Sequence, residues 1–247
     1  MPDHLRHRFQ HLLSQARKLF RILRHPAHWS ALKQGVAASE EHSSIPFGFD
    51  HATVIDVGAS RGQFALFAVR RFPEAKVICF EPLPEPRAAL TRALGDRVDL
   101  HAHAVGSSAG TAVINISASD DSSSLLPIGE RQVEEFPGTQ AESSLEVEVK
   151  TLDSVVAAEE LSAPVLLKVD VQGLELEVLK GASETLTRVD EALIECSFVE
   201  LYEGQALADD VIGLMRDNGH RLAGIYGPVS SPDGTMLQAD MLFRRSS

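Results

Sequence analysis

The most constraining feature of the sequence is a pattern of strand, turn, helix and strand between residues 53 and 82. An apolar run over residues 53–57 leads into a turn with Gly58 and Gly62, and a helical stretch follows before a second apolar run ends at Glu81. In a parallel sheet this pattern brings the turn and the end of the second strand to one edge, where open α/β folds bind nucleotide-like ligands. We therefore predict a nucleotide-type pocket between Gly58 and Glu81.

The spacing of the glycines distinguishes between cofactors. A dinucleotide-binding turn has the pattern G-x-G-x-x-G, whereas this turn has G-x-x-x-G preceded by Asp56. A carboxylate at this position repels a pyrophosphate and attracts a positively charged ligand. S-adenosylmethionine carries an ammonium, a sulfonium and a ribose diol that Glu81 can hold. The sequence thus predicts S-adenosylmethionine and disfavours an NAD-dependent nucleotide-sugar oxidoreductase, while a purely structural turn is the other interpretation.

The composition of the chain limits the classes of protein to which it can belong. The 247 residues and 44% hydrophobic content suit one large domain with an extension, and the net charge of −12 argues against nucleic acid as a partner. The sequence has neither a run of about 18 apolar residues nor a secretory segment, so we expect a cytoplasmic protein. Cys79 and Cys196 lie in apolar runs, which predicts buried thiols and not a disulfide or metal cluster.

The first 39 residues differ in charge from the rest of the chain. They hold seven Lys and Arg residues against one acid, and their apolar residues recur at helical spacing. We predict a basic amphipathic helical extension and linker over residues 1–49, ahead of a catalytic domain over residues 50–247. Such a helix packs on its own domain, joins a second subunit in a homodimer, or lies on an anionic membrane as a peripheral contact at its inner face. The sequence leaves these alternatives open.

Beyond residue 52, apolar strands alternate with helical stretches, which predicts an α/β fold with a mostly parallel sheet. We expect strands at 53–57, 76–81, 97–102, 165–169 and 191–196, and helices at 62–72, 85–94, 173–180 and 208–218. Residues 111–116 and 145–150 alternate as exposed strands around a Ser-rich loop of the kind that covers a binding site. Dense turn residues between 220–226 and 236–244 predict an antiparallel pair at the sheet edge.

The segment over residues 168–182, KVDVQGLELEVLKGA, resembles the signature of the FkbM family of S-adenosylmethionine-dependent methyltransferases. The resemblance extends over about residues 50–243, and family members often have Glu where this chain has Gln172. It implies a Rossmann-like class I methyltransferase fold with a mostly parallel seven-stranded sheet and an antiparallel edge strand. It also implies methyl transfer to an oxygen of a sugar, glycan or sugar-bearing metabolite.

The pocket pattern and the resemblance together give the expected cofactor contacts. These contacts lie in the glycine turn, at the end of the second strand, just before Gly106 and at the start of the signature segment. The residues are Asp56, Gly58, Ala59, Ser60, Gly62, Gln63, Glu81, Pro82, Ala104, Val105 and Asp170.

Methyl transfer to a hydroxyl requires removal of a proton, by a general base or with the help of a divalent cation. Asp170 and Glu195 end neighbouring predicted strands at the ligand-binding edge, so we predict that they form the catalytic pair. The pair acts as base and orienter, or it holds Mg²⁺. Cys196 and Ser197 follow Glu195 and supply no third carboxylate. In the structural alternative, Asp170 is a helix N-cap and Glu195 has no catalytic role.

The acceptor, a small molecule or glycan, is expected to contact loop residues. Ser122 and Ser123 lie in the Ser-rich segment, and Tyr202 lies in a loop after Glu195, where its ring would stack on a sugar. His101 or His103, at the end of a strand, is a further candidate base. A non-catalytic, cofactor-binding scaffold is the last alternative, and the intact acidic strand ends argue against it.

Overall fold

The structure is a computed structural model that describes residues 39–246. The amphipathic helix predicted for the leader falls on residues 1–38, outside the described residues, and it stays a prediction together with the membrane contact and the homodimer. None of the helices that the structure describes has the length and apolar character of a segment that spans a bilayer.

Ten strands form two sheets. In chain order they are β1 (Thr53–Val57), β2 (Lys76–Phe80), β3 (Asp99–His101), β4 (Ala104–Val105), β5 (Gly110–Ser117), β6 (Ala141–Lys150), β7 (Val165–Val169), β8 (Glu191–Ser197), β9 (His220–Ser230) and β10 (Met236–Arg245). The larger sheet has seven strands in the order β3-β2-β1-β7-β8-β10-β9. Neighbours from β3 to β8 pair in parallel, whereas β10 runs antiparallel to β8 and β9. The predicted α/β fold with a mostly parallel seven-stranded sheet is confirmed, and its antiparallel strand lies next to the edge.

Seven α-helices connect these strands in the described part of the chain. They are α1 (Gln63–Arg71), α2 (Pro84–Leu94), α3 (Glu130–Glu135), α4 (Leu152–Val155), α5 (Glu175–Lys180), α6 (Ser183–Leu186) and α7 (Ala208–Asp217). Short 3-10 turns occur at Glu40–Ser44, Gly95–Arg97, Asp120–Ser122 and Ala158–Glu160. The sequence predicted α1, α2, α5 and α7 to within two residues at each end. It did not predict α3, α4 and α6, which have four to six residues each and are too short to show a helical period.

The central strands are buried on both faces, as expected for a parallel sheet covered by helices. All five residues of β1 and all five of β7 are buried. Because successive side chains of a strand point to opposite faces, each strand contributes to two separate cores. One core contains Ile55, Leu167 and Ile194, and the other contains Val54, Leu166 and Leu193. The two cores fix the position of the sheet edge at which the predicted site residues lie.

The smaller sheet has the order β4-β6-β5 and confirms the two exposed strands expected around the Ser-rich segment. Its apolar face forms a third cluster that includes Leu83, Ala104 and Ile114. The segment between β5 and β6 is not a free loop, because Asn115 and Ser124 exchange two backbone hydrogen bonds of 2.7 and 3.1 Å. This segment also contains α3, so it is only in part the long loop that the sequence predicted.

Residues 45–51, which the sequence assigned to a linker, are bound to the start of β8. The buried carboxylate of Glu191 accepts hydrogen bonds from the backbone N–H of Gly48 at 3.0 Å and from Nε of Arg244 at 2.6 Å. His51 Nε2 lies 3.0 Å from the same carboxylate. The ring of Phe47 packs edge-on against Phe72. This part of the chain is therefore held against the larger sheet and leads directly into β1.

Candidate active site

Gly58 joins the two loops that form the site. Its φ of +83° lies in the left-handed region, and a Cβ at this position would lie 1.8 Å from the carbonyl oxygen of Asp170. The backbone N–H groups of Gly58 and Ala59 both donate to the carbonyl of Phe80, at 3.1 and 3.0 Å. The loop after β1 therefore packs directly on the loop after β7 and on the end of β2. All three strand ends meet at one edge of the sheet, as predicted.

Glu81 lies at this edge with both carboxylate oxygens held. One oxygen accepts from the backbone N–H of Ser60 at 2.9 Å, and the other accepts from the backbone N–H of Leu83 at 2.7 Å. These bonds fix the carboxylate in one orientation, so that it needs no rearrangement to meet a ligand.

A cavity of about 70 Å³ lies next to Glu81, between the larger sheet and the smaller one. Most of the predicted cofactor residues line it, together with apolar residues that the sequence did not single out. The predicted ones are Gly58, Ser60, Glu81, Pro82, Ala104, Val105 and Asp170, and the others include Ile114, Leu125 and Leu174. Ser123, predicted to contact the acceptor, also lines this cavity. The apolar wall and the fixed carboxylate of this narrow cavity suit part of a nucleoside, such as its base or its ribose.

A second cavity of about 530 Å³ adjoins the first, since both are lined by Gly58, Ser60, Asp121 and Asp170. The predicted residues Asp56, Ala59, Gln63 and Glu195 line only this larger cavity. Ser39, His42, Tyr226 and Asp240 also line it, and the sequence gave no reason to expect them. Asp170 thus lies where the two cavities meet.

Gly62, predicted as a cofactor contact, lines neither of these two cavities. It has a φ of +91° at the start of α1, and a Cβ there would lie 2.9 Å from Cγ of Leu90 on α2. The glycine is therefore required for the close packing of two helices and shapes the turn only indirectly.

Asp56 is buried beside the larger cavity with one carboxylate oxygen unpaired. Oδ2 has no hydrogen-bond partner among residues 39–246, and burial raises the pKa of the carboxyl to about 7. The hydroxyl of Ser60 is likewise buried without a partner in the described structure. Buried polar atoms without partners are costly, so these two mark where a polar ligand would complete the site. A positive ligand group at Asp56 would also favour its charged form.

A buried cation lies at the centre of the site. Nζ of Lys168 donates to Asp170 Oδ2 at 3.2 Å and to Asp240 Oδ1 at 3.4 Å, and the side chain is 3% exposed. Burial alone would lower the pKa of Lys168, but the surrounding carboxylates outweigh it and raise the pKa, so the ammonium stays charged. Although burial favours its neutral form, Asp240 has its pKa lowered to about 2 by Lys168 and by His42, whose Nε2 lies 3.3 Å away.

The two predicted catalytic carboxylates are joined by one side chain. Nε2 of Gln172 donates to Oδ1 of Asp170 at 2.7 Å and to Oε2 of Glu195 at 3.1 Å. Gln238 donates to the other oxygen of Glu195 at 2.9 Å. Burial, and then the charge of Asp170, raise the pKa of Glu195 well above its usual range. Asp170 is not a helix N-cap, because α5 begins after Leu174 and the Asp170 side chain binds Lys168 and Gln172 instead.

The residues present do not fit Mg²⁺ between Asp170 and Glu195. Within residues 39–246, no group of three or more His, Cys, Asp or Glu side chains is arranged to hold a metal ion. The amide nitrogen of Gln172, which can only donate hydrogen bonds, lies between the two carboxylates. Divalent cations of this kind take oxygen ligands.

The tyrosine predicted to stack on a sugar is buried. The side chain of Tyr202 is 2% exposed, so its ring has no free face for an acceptor. The prediction that it stacks on a sugar was therefore wrong. Its hydroxyl lies 2.7 Å from Oε1 of Gln172 and 3.1 Å from the carbonyl oxygen of Ser122. Ser122 therefore contributes a backbone contact to this network. The hydroxyl of Ser124, in the same Ser-rich segment, donates to the backbone carbonyl of Gln172 at 2.6 Å.

The two candidate histidines have different positions. His101 stacks on the ring of Phe80 with 4.9 Å between ring centroids and does not line either cavity. His103 is buried and lines the smaller cavity, and burial lowers its pKa. It therefore stays neutral near pH 7.

Lys168 could have been found from the sequence, because it is the one charged residue in the apolar run of residues 165–169. A cation in a buried strand almost always has charged partners. Its partner Asp240 lies about 70 residues away, and β10 brings it opposite Glu195 in the sheet. A single sequence does not reveal pairing at that separation.

The fold and the site define an S-adenosylmethionine-dependent methyltransferase. Residues 56–222 match the family described as "Methyltransferase FkbM domain", and the chain belongs to the FkbM methyltransferase family. This match confirms the predicted family and cofactor. It excludes the two alternative interpretations, an NAD-dependent oxidoreductase and a non-enzymatic scaffold.

Curated relatives and a solved structure agree with the assignment. The chain is 29% identical over 170 residues to the 2-O-methyltransferase NoeI of Sinorhizobium fredii, covering 66% of this chain and 70% of that protein. It is 31% identical over 144 residues to the hexuronic acid methyltransferase AglP of Haloferax volcanii, covering 57% and 54%. The fold is similar to the crystal structure of methyltransferase FkbM from Methylobacillus flagellatus, with a TM-score of 0.53 and 16% identity. That match covers 84% of this chain and 48% of the other.

Proposed function

We propose that this enzyme transfers a methyl group to a hydroxyl oxygen of a sugar, a glycan or a sugar-bearing metabolite. The observation that carries the proposal is the position of Asp170, which borders both cavities and is joined to Glu195. A carboxylate at the meeting point of a nucleoside pocket and a larger polar cavity is placed to act on an acceptor hydroxyl. The names of the relatives NoeI and AglP, a 2-O-methyltransferase and a hexuronic acid methyltransferase, support an oxygen of a sugar.

The residues present fit S-adenosylmethionine. Glu81 and the apolar wall of the smaller cavity would hold the adenosine, and the unpaired oxygen of Asp56 would receive the ammonium. When bound, this cofactor supplies a methyl group that its sulfonium already activates. The protein therefore has to orient the acceptor, exclude water and accept a proton.

We assign the proton-accepting role to Asp170. The larger cavity leaves room beside Asp56 and Gln63 for a sugar-sized acceptor, and its wall includes Asp170 and Glu195. The Lys168 ammonium pairs with Asp170 through one oxygen, and Gln172 binds the other. These two contacts fix the plane of the carboxylate toward the cavity, so the acceptor hydroxyl is oriented as it approaches.

Asp170→Asn tests this role because asparagine keeps the shape of aspartate and cannot accept the proton. We expect kcat for a methylated sugar acceptor to fall by about 100-fold or more, as is typical when a general base is lost. The affinity for S-adenosylhomocysteine, measured by calorimetry, should change by less than about threefold. Asp209→Asn, at an exposed aspartate on α7, controls for the loss of one negative charge. Unchanged kcat in Asp170→Asn would contradict the assignment, and a panel of sugars with no methylated product would contradict the proposed function.

A further inference from the structure

The hydrogen bonds around the acid pair leave no carboxylate oxygen without a nitrogen donor. Asp170 accepts from Gln172 at Oδ1 and from Lys168 at Oδ2, at 2.7 and 3.2 Å. Glu195 accepts from Gln172 at Oε2 and from Gln238 at Oε1, at 3.1 and 2.9 Å. A cation bridging the two carboxylates would have to displace the Gln172 amide nitrogen, which lies between them, and its charge would oppose the nearby Lys168 ammonium.

The orientation of the Gln172 amide follows from its contacts on both sides. Two carboxylates accept from its nitrogen, and the Tyr202 hydroxyl, 2.7 Å from Oε1, donates on the other side. Turning the amide over would place Oε1 against two carboxylates, which is electrostatically unfavourable. The backbone of Gln172 is also fixed, with a φ of +57° and its carbonyl bound by Ser124. A non-glycine residue in the left-handed region is uncommon, and such residues concentrate at functional sites.

We propose that Gln172 is a positioning residue whose amide nitrogen holds Asp170 and Glu195 together in the place of a divalent cation, so that methyl transfer by this chain needs no such cation. The catalytic part of this inference rests on the proposed function, whereas the binding part does not. Tyr202 supports this arrangement, because its hydroxyl donates to Oε1 of the same amide. Lys168, on the opposite side of Asp170, supplies the positive charge that the pair requires.

The inference predicts that one substitution creates a cation site. Gln172→Glu replaces the amide nitrogen with a carboxylate oxygen of nearly the same shape, so three carboxylates would then face one point. Three hard oxygen ligands of this kind bind Mg²⁺ or Mn²⁺. Gln140→Glu, at an exposed position, makes the same chemical change away from the site and is the matched control.

Mn²⁺ alone is the probe, titrated by calorimetry and by electron paramagnetic resonance into the tag-free full chain after treatment with EDTA. We expect Gln172→Glu to bind one Mn²⁺ per chain at least about tenfold more tightly than the unsubstituted chain or Gln140→Glu. We also expect methyl transfer by the unsubstituted chain to continue in EDTA. Saturable Mn²⁺ binding by the unsubstituted chain as tight as that of Gln172→Glu would overturn the proposal. So would a folded Gln172→Glu that gains no binding, or an activity that EDTA abolishes and Mg²⁺ restores.

Tyr202→Phe tests the same arrangement if Gln172→Glu does not fold, because it keeps the buried ring and removes only the hydroxyl. We expect the side-chain amide signals of Gln172 in nitrogen-15 spectra, assigned by their loss in Gln172→Leu, to broaden or shift. The kcat should fall by about tenfold while the acceptor KM and the affinity for S-adenosylhomocysteine change by less than about twofold. Unchanged amide signals and kcat would contradict the proposal. If no sugar is methylated the proposed function fails, whereas the Mn²⁺ titration and the spectra still decide the role of Gln172.

Discussion

Gly58 is the residue at which the site depends most on the absence of a side chain. Its Cα faces the carbonyl of Asp170 so closely that a methyl group would lie 1.8 Å from the oxygen. The sequence predicted a glycine turn here because of its spacing from Glu81, but it did not show which neighbour requires the glycine. That neighbour is Asp170, which directly follows β7 more than 100 residues later in the chain.

Gly58→Ala should destabilise the protein by about 3 kcal/mol or more, because it combines an unfavourable left-handed backbone with a steric overlap. Gly138→Ala is the matched control, since Gly138 has a φ of +95° but no atom within 4 Å of the position of a Cβ. It should cost only about 1 to 2 kcal/mol. Urea denaturation followed by circular dichroism measures both variants. If both variants lost the same free energy of unfolding, the steric overlap with Asp170 would contribute nothing to the destabilisation.

The residues that the sequence identified correctly were those in local patterns. Asp56, Gly58 and Glu81 follow from a strand, a turn and a strand end that are close in sequence. The bridging role of Gln172 needs atoms of Glu195, on strand β8, and of Tyr202, in the loop after that strand. The sequence showed that Gln172 stands where family members often have glutamate, but it did not show which side chains its amide contacts.

The short helix α5 begins with a carboxyl group whose charged form is disfavoured by burial. Glu175, in its first turn, accepts hydrogen bonds from the backbone N–H groups of Val171 and Gly173, both at 3.1 Å. It is 5% exposed, and burial raises its pKa from 4.5 to about 7 despite these bonds. The loop that contains Gln172 is therefore bound to a carboxyl group that is half protonated near neutral pH.

This shift predicts a pH dependence of stability. Between pH 4.5 and about 7 the folded state keeps the Glu175 proton and the unfolded state has lost it, so the free energy of unfolding falls by about 3 kcal/mol as the pH rises. Glu175→Gln keeps an acceptor oxygen and does not titrate. We therefore expect its stability relative to the unsubstituted protein to increase by about 3 kcal/mol over that range, in urea denaturation at several pH values. Glu203→Gln, at an exposed position, should show no such trend. A constant difference for Glu175→Gln would refute the raised pKa.

The sequence predicted those strands and helices that are long enough for their apolar residues to show a regular period. Strands β1 and β7 are continuous apolar runs, and α1, α2 and α7 have nine to eleven residues, enough to show a helical face. The short helix α3 has six residues and depends on tertiary contacts, because an isolated helix of that length is not stable. The return of the chain at Asn115 and Ser124 also depends on a backbone pairing that no composition signal indicates.

The charge of the whole molecule bears on the choice of acceptor. The chain carries a net charge of −12, and the larger cavity concentrates carboxylates with few cations. Its acidic lining residues are Glu41, Asp56, Asp121, Asp170, Glu195 and Asp240. Although burial favours the neutral forms of Asp56 and Glu195, the other four outnumber the Lys168 ammonium. A negative electrostatic potential of this kind disfavours anionic acceptors. The relative AglP, by contrast, is named as a methyltransferase of a hexuronic acid, which is an anionic sugar.

We therefore expect a neutral sugar to be a better acceptor than its acidic analogue. Methyl glucoside and methyl glucuronide differ only at C6, which is a hydroxymethyl group in one and a carboxylate in the other, so methylation at their shared hydroxyls can be compared. At low salt, kcat/KM for the neutral sugar should exceed that for the acid by about tenfold or more, and the ratio should shrink as salt screens the field. Competition assays with product detection by mass spectrometry measure the ratio. A preference for the glucuronide would indicate a cation in the acceptor site that the described residues do not supply.

The positions of the two described chain ends have a practical consequence for handling the enzyme. Ser39 and His42 form part of the wall of the larger cavity. Arg245 donates its backbone N–H to Asp190, just before the start of β8, at the opposite edge of the sheet. A fluorescent label attached close to Arg245 would therefore lie away from the larger cavity, whereas one attached at Ser39 would alter its wall.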